Sequence, residues 1–449
     1  MKHLSCLPDS HNLTGHPDFH DCAPAAVLRE LDRLASKYAP PLGMDRRTFL
    51  KSQMGLAASF LALNTFFGPF FQVAAAEAAE PDAAREQIEK YADQFIFDVQ
   101  VHYVHENYPS PEGLLSLRRA AQQWQPSPGA GADELEDIQF ENFFREIFEN
   151  SQTSAAVLSN APNDDKNAWF LSNEQALNTR ERVNRRTGRR SLFAHAIITP
   201  GQPGWMEDLA QALELGPDAV KGYTLGDPGG GSAYPWRLDD EKLVYPAYEK
   251  LLRAGVNNVC IHKGLLPTGY KQFIPAEKSA LARVDDVGKA AQDWPELNFI
   301  IYHSAIENVL PDKKAVKQFK QDGRINWVTD LARIPEQYGV DNVYAELGAV
   351  FAATCAAHPE LCAGILGTLI REMGADHVCW GTDSVWFGSP QWQIEAMRRF
   401  EIPAELRKRF GYPALGEADG KIKNMIFGEN SARLYGIDPA GYHPDSAQT

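Results

Sequence analysis

The chain has 449 residues, 44% hydrophobic and 23% charged, which is enough apolar material for a large packed core and too much for a disordered segment. Its net charge of −15 weighs against a nucleic-acid partner, because phosphate binding needs a basic surface. Nine tryptophans and 29 prolines fit a loop-rich enzyme better than a bundle of helices.

The first 43 residues carry Cys6, His11, His16, His20 and Cys22, whose spacing matches no compact zinc pattern and reads as incidental. Leu28–Tyr38 has the period of a short amphipathic helix. Met44 stands directly before Asp45-Arg46-Arg47, as an initiator would. Residues 1–43 therefore read either as lying upstream of the true start or as a long polar preface.

Residues 44–78 differ from the rest. The pair Arg46-Arg47 is followed by Phe49-Leu50-Lys51, then by an uncharged stretch from Ser52 to Ala76. Ala74-Ala75-Ala76 offers small residues for cleavage, and Ala76-Glu77-Ala78 offers them again. In that order these features resemble a twin-arginine export signal. The resemblance implies the twin-arginine export machinery as a partner, a mature chain starting near Glu77 or Ala79, and a periplasmic or secreted product. A single transmembrane anchor is the alternative. The stretch is long enough to span, but Asn64, Gly68 and Pro69 weaken it.

From about Tyr91 onward, strand-like runs alternate with helix-like ones. The first is Phe95–Val101; within it and the following His102, apolar Phe97, Val99 and Val101 alternate with Asp98, Gln100 and His102, a period of two that puts the polar three on one face. Ser154–Leu158, Leu192–Ile198, Ala219–Thr224, Asn258–His262, Asn298–His303, Asn342–Leu347 and His377–Thr382 follow. Between them Ser172–Arg185, Trp205–Leu215, Asp239–Ala254, Ala282–Asp293, Ile306–Gln321 and Cys362–Met373 read as amphipathic helices. Strands each followed by a helix predict a (β/α)8 TIM barrel over residues 90–440, with residues 441–449 as a tail. A doubly wound open sheet is the runner-up, but no Gly-x-Gly-x-x-Gly follows the first strand.

Two insertions fall on the side of the barrel where catalytic loops gather. Glu106–Asn150 carries Trp124, Pro126, Pro128 and a helix-like Glu136–Glu149. Gly226–Pro235, reading GDPGGGSAYP, is either a mobile lid or a plain connector.

The polar residues fall in one register. His102 ends the first strand, His262 the fifth, His303 the sixth and Asp383 the eighth. A lone histidine after an apolar run is usually structural. Three histidines and an aspartate at the same end of their strands, which a barrel brings to one mouth, point to a site. Imidazole with carboxylate suits Zn²⁺ or another first-row divalent ion.

With these residues the chain resembles the amidohydrolase superfamily, in particular the amidohydrolase-related branch that also contains the aminocarboxymuconate semialdehyde decarboxylase group. The matching pieces run from FDVQVH through VLSNAP (157–162), AVKGYTL (219–225), IHKG (261–264), IIYHSA (300–305) and GTDS (381–384) to FGENSARLYGID (427–438). The resemblance implies metal ligands at Gln100, His102, His262 and Asp383, with Asp383 also the base and His303 the proton-moving histidine. Gln100 departs from the pattern, which has histidine there, and an amide oxygen is the weaker donor. Asp98 reads as an internal hydrogen-bond partner. Lys221 lies near the strand-four lysine that bridges two metals in some members. With one first-strand histidine missing, a single divalent ion is expected, Zn²⁺ first and Mn²⁺ or Fe²⁺ also compatible. Lys221, Glu346, Trp236, Arg237 and Trp386 are then candidates to line the substrate pocket.

Two reactions fit this set. One is hydrolysis of an ester, amide or related bond of a small molecule by an activated water. The other is metal-dependent non-oxidative decarboxylation of a carboxylated aromatic or unsaturated acid. Export tips the reading toward hydrolysis. A metal-free binding protein on the same fold is opposed by the retention of His102, His262, His303 and Asp383. A homo-oligomer stays open. In an oxidising compartment Cys355 and Cys362 are expected to form a disulfide, while Cys260 and Cys379 read as buried thiols; the alternative is that all four stay reduced.

Overall fold

The computed structural model describes residues 22–122, 134–267, 269–308 and 313–442. Cys6, His11, His16 and His20, the insertion residues Trp124, Pro126 and Pro128, and the tail from 443 lie outside these. Eight short strands form one sheet in sequence order: β1 Phe97–Val101, β2 Ala155–Leu158, β3 Leu192–Ile197, β4 Ala219–Tyr223, β5 Asn258–His262, β6 Asn298–Tyr302, β7 Val343–Glu346 and β8 Val378–Cys379. Every neighbouring pair is parallel. The strands are Val-, Ile- and Ala-rich because both faces are covered: an inner cluster includes Phe97, Val99, Val157, Phe193, Cys260 and Ile300, and helices pack outside.

The last strand is shorter than the sequence period suggests. After Cys379 the chain leaves β7 and closes the ring on β1. Trp380 O accepts from Val99 N at 3.0 Å, Gln100 O from Asp383 N at 2.9 Å, and Ser384 O from His102 N at 2.5 Å. The fold is thus a (β/α)8 TIM barrel, as expected.

The predicted helix Glu136–Glu149 is broken at Gln139, which carries an extended backbone between a 3-10 turn, Leu135–Ile138, and the helix Phe140–Phe144. Arg182 and Arg186 of the helix Asn173–Thr187 lie over the rings of Phe140 and Phe144, 3.5 and 3.6 Å from the centroids, and fix this insertion to the barrel wall.

The glycine-rich loop is tied down. Asp164 accepts from Ala233 N at 2.8 Å and from Ser232 Oγ at 2.5 Å. Gly226 has φ 87°, and a Cβ there would sit 2.2 Å from Ser232 Oγ, so this turn needs glycine.

The expected Cys355–Cys362 disulfide does not form: both are free, buried thiols. Cys355 closes the helix Val350–Cys355, Cys362 sits inside Pro359–Met373, and the Cys362 thiol is engaged with Thr354. Burial pushes that thiol up to about 12.

Ahead of the barrel, α1 (Cys22–Tyr38), α2 (Arg46–Leu50), α3 (Gln53–Phe67), α4 (Ala75–Ala79) and α5 (Pro81–Glu89) form a helical block. Leu31, Leu34 and Ala35 of α1 pack with Phe49, Met54, Ala57 and Ala62. Among the described residues no helix is long and apolar enough to cross a membrane.

Candidate active site

The site begins with an irregularity in β1. Its register against β2 shifts between Asp98 and Val101. Val99 faces the inner cluster, yet Val101 packs with Tyr103, Ala156 and Leu158 in an outer one. The shift turns Gln100 and His102 to the side Val99 faces and separates them from Asp98, so the expected single polar face is divided. Asp98 instead joins β1 to the β8 segment. Its Oδ1 accepts from Gln100 N at 3.1 Å and Thr382 N at 3.0 Å, and its other oxygen accepts from the Thr382 hydroxyl. Burial raises this carboxyl to about 7 against those bonds.

Asp383 follows with a left-handed backbone, φ 59°. Its Oδ1 lies 2.9 Å from His102 Nε2, and Gln100 Nε2 donates to the same oxygen at 3.1 Å. Burial alone raises Asp383, but the hydrogen bond and charge of His102 outweigh it and hold the carboxyl below its ordinary value. Gln100 Nε2 also stands 3.2 Å from His102 Nε2, while Gln100 Oε1 and His102 Nδ1 have no hydrogen-bond partner.

His303 opens a second pair. His303, Ser304 and Ala305 have φ 59°, 46° and 53°, three successive left-handed residues without glycine. Such backbone persists only where surroundings hold it. Glu346 Oε2 accepts from His303 N at 2.9 Å, and Glu346 O accepts from Ser304 Oγ at 2.7 Å. The His303 ring is oriented by Gly348 O, 2.9 Å from Nδ1. A carbonyl only accepts, so Nδ1 carries the proton and Nε2 a lone pair. His262 Nδ1 lies 3.0 Å from that Nε2 and must be the donor, which leaves His262 Nε2 as the basic nitrogen. One backbone carbonyl thus fixes two tautomers in series. Burial lowers His303 to about 4 and takes His262 well below its ordinary value, so both are neutral near pH 7.

The other expected residues divide. Lys221 is fully buried on β4. Its Nζ has no hydrogen-bond partner and stands 3.0 Å from the Tyr302 ring centroid; burial lowers it to about 7. Glu346 lies beside Gln100: a Cβ on Gly348 would meet Gln100 Oε1 at 2.1 Å and Glu346 Oε1 at 2.4 Å. Trp386 stacks on His102, centroids 5.7 Å apart, with Phe170 edge-on to both rings. Trp236 and Arg237 stand apart from this group. The Trp236 ring packs where Gly222 leaves room on β4, next to Ile198, and Arg237 pairs with Asp239 at 2.7 Å near the surface.

Two contributors escape a reading for polar residues at strand ends. Tyr223 stacks on His262, centroids 4.7 Å apart, and its two-residue offset from Lys221 was the signal that it faces inward. Gly348 carries no signal, since its part is played by a backbone carbonyl.

The family model described as amidohydrolase matches residues 97–437, more than half of the chain. The protein belongs to the amidohydrolase family. No curated protein matches this amidohydrolase. Among solved structures it is similar to an uncharacterised TIM-barrel protein from Bordetella bronchiseptica, at 15% identity and TM-score 0.49, over 77% of this chain and 99% of that one. It is also similar to 5-carboxyvanillate decarboxylase from Sphingomonas paucimobilis, at 12% identity and TM-score 0.43, over 77% and 100% of the two chains. A third is 2,6-dihydroxybenzoate decarboxylase from Rhizobium, at 16% identity and TM-score 0.39, over 76% and 99%.

Among the described residues no three His, Cys, Asp or Glu side chains already converge as a metal-holding group. The donors stand in two pairs, His102 with Asp383 and His262 with His303. The first pair nevertheless fits a cation. If His102 Nε2 bears a proton, it meets the Gln100 amide donor at 3.2 Å. If it does not, its lone pair meets Asp383 Oδ1 at 2.9 Å. Either tautomer leaves one contact unsatisfied, and a cation taking both lone pairs removes the conflict. The unpartnered Gln100 Oε1 and the basic His262 Nε2 are further donors in the same mouth.

Proposed function

We propose that this amidohydrolase is a metal-dependent hydrolase that adds water across an ester, amide or related bond of a small molecule. The observation that carries this reading is Asp383, held ionised by His102 at 2.9 Å beside a buried, tautomer-locked His303. His102, His262 and Asp383 are the residues that would hold the ion, with Gln100 as a weaker donor. Zn²⁺ suits imidazole and carboxylate best, and when bound it supplies Lewis acidity.

The chain's own groups do the rest. Asp383 accepts the proton of the attacking water, and the Gln100 amide steadies the carboxylate by donating to its Oδ1. Because Nδ1–H is committed to Gly348, a neutral His303 can move a proton only through Nε2; releasing the His262 Nδ1–H held there, it takes the water proton from Asp383 and passes it to the leaving group. Trp386, Phe170 and Tyr223 exclude water around the imidazoles, which strengthens every charge interaction within. Lys221 Nζ is an unsatisfied donor for a substrate oxygen.

Turnover of metal-loaded enzyme on aryl esters, lactones, amides and carboxylated aromatic acids in H₂¹⁸O tests the reaction type. Hydrolysis places one ¹⁸O in the product. Release of CO₂ with no label incorporated would overturn hydrolysis in favour of decarboxylation at the same residues.

A further inference from the structure

The stretch that reads as an export leader is built into the fold. α3 is apolar along most of its length and is buried from Met54 to Phe60 and at Ala62 and Leu63, with Thr65 and Phe66 exposed near its end. Towards the barrel, Leu56, Phe60 and Leu63 join the main core. Towards the N-terminus, Met54, Ala57 and Ala62 meet Leu31, Leu34 and Ala35 of α1. Gly55 lies so close to the backbone of the preceding turn that a Cβ would stand 2.2 Å from Phe49 O. Beyond α3 the chain pairs with the barrel as an antiparallel bridge, Phe71 opposite Phe400. Glu401 N donates to Phe70 O and Gln72 N to Arg399 O, both at 2.8 Å. Phe71 stacks on Phe60 at 4.7 Å and meets Phe400 edge-on at 5.4 Å.

The cleavage motif is equally committed. Ala75–Ala79 is helical rather than extended, and Ala78 is fully buried. Glu77 accepts from Arg399 Nη2 at 2.8 Å and from Ala74 N at 2.9 Å. Arg399, 6% exposed, is shared with the buried Glu395 of its own helix, Gln391–Arg399. Arg46, the first of the arginine pair, is paired with Asp32 of α1. A peptidase needs its substrate exposed and extended. A translocase needs the apolar stretch free. Neither condition holds once these contacts form.

We propose that residues 46–80 are a permanent part of the working enzyme: a brace that covers the barrel at Phe400 and Arg399, with the bonds after Ala76 and Ala78 left intact. The brace does not depend on which side of a membrane the enzyme works.

Two measurements on the protein decide it. Intact-mass and peptide mapping of the folded, active enzyme from its own cells is expected to show the α3 peptide, residues 53–67, covalently present. Chains starting at Glu77 or at Ala79 are expected to lose soluble folded protein, or to melt more than about 10 °C below the full chain, since Phe400 is uncovered in both and Arg399 also loses Glu77 in the shorter. An active enzyme whose N-terminus maps to residue 77 or 79 would overturn the proposal. So would a shortened chain that melts with the full one.

Discussion

Glu346, at the end of β7, holds the backbone N–H of His303, at the end of β6, at 2.9 Å and through it the whole left-handed turn His303–Ala305. Its other oxygen accepts from Gly348 N, whose carbonyl in turn orients the His303 ring. Glu346→Ala frees both ends of that arrangement. Turnover is expected to fall about 100-fold or more, the scale of a misplaced catalytic group. The ion content is expected to persist, because His102, His262 and Asp383 are untouched. Unchanged kcat in the metal-replete variant would contradict the positioning role.

Glu346 also sets a pH dependence. Burial raises its carboxyl from 4.5 to about 8. The folded chain therefore keeps a proton that the unfolded chain releases. The contribution is fully present below about pH 4.5 and is lost as pH rises through 8. Glu346→Gln cannot titrate. Its stability relative to the parent, from urea unfolding at each pH, is expected to improve between pH 4.5 and 8. A difference that is flat across this window would rule out the buried proton.

Gly381 tests how tightly the same carboxylate is packed. A Cβ there would stand 1.7 Å from Glu346 Oε1 and 3.3 Å from Gln100 Cβ. Gly381→Ala must displace Glu346, and overpacking of this kind costs about 1–3 kcal/mol. A urea midpoint equal to the parent's would show that the pocket has room.

The proton-transfer assignment separates two variants. Asp383→Asn keeps an oxygen toward His102 but cannot take a proton, so rate is expected to fall by about 10²–10⁴-fold, well beyond any fall in ion content. His303→Ala is expected to lower kcat at unchanged ion content. Rate and metal falling together in Asp383→Asn would assign Asp383 to binding alone.

The barrel was legible because its strands are short apolar runs buried on both sides, and because His102, His262, His303 and Asp383 fall at their ends. What was not legible came from backbone. Asp98, Gln100 and His102 alternate perfectly in sequence, yet the register shift in β1 divides them. The tautomers of His303 and His262 depend on Gly348 O, which no side-chain pattern reveals. Trp236 looked like a pocket wall because it follows β4, but the space over Gly222 draws its ring elsewhere. Cys355 and Cys362 looked close enough to bond, yet helical placement and Thr354 keep them as thiols. The apolar run Ser52–Ala76 has the composition of a leader, and its packing against α1 and the main core is not visible in that composition.

The most direct measurement is metal content. Elemental analysis of purified enzyme, loaded with Zn²⁺ and dialysed, is expected to give about one ion per chain and close to none in His262→Ala, since His262 Nε2 is the nitrogen left basic by the Gly348–His303 relay. A parent enzyme that retains no ion, or a His262→Ala variant that retains as much as the parent, would contradict a metal site at this mouth.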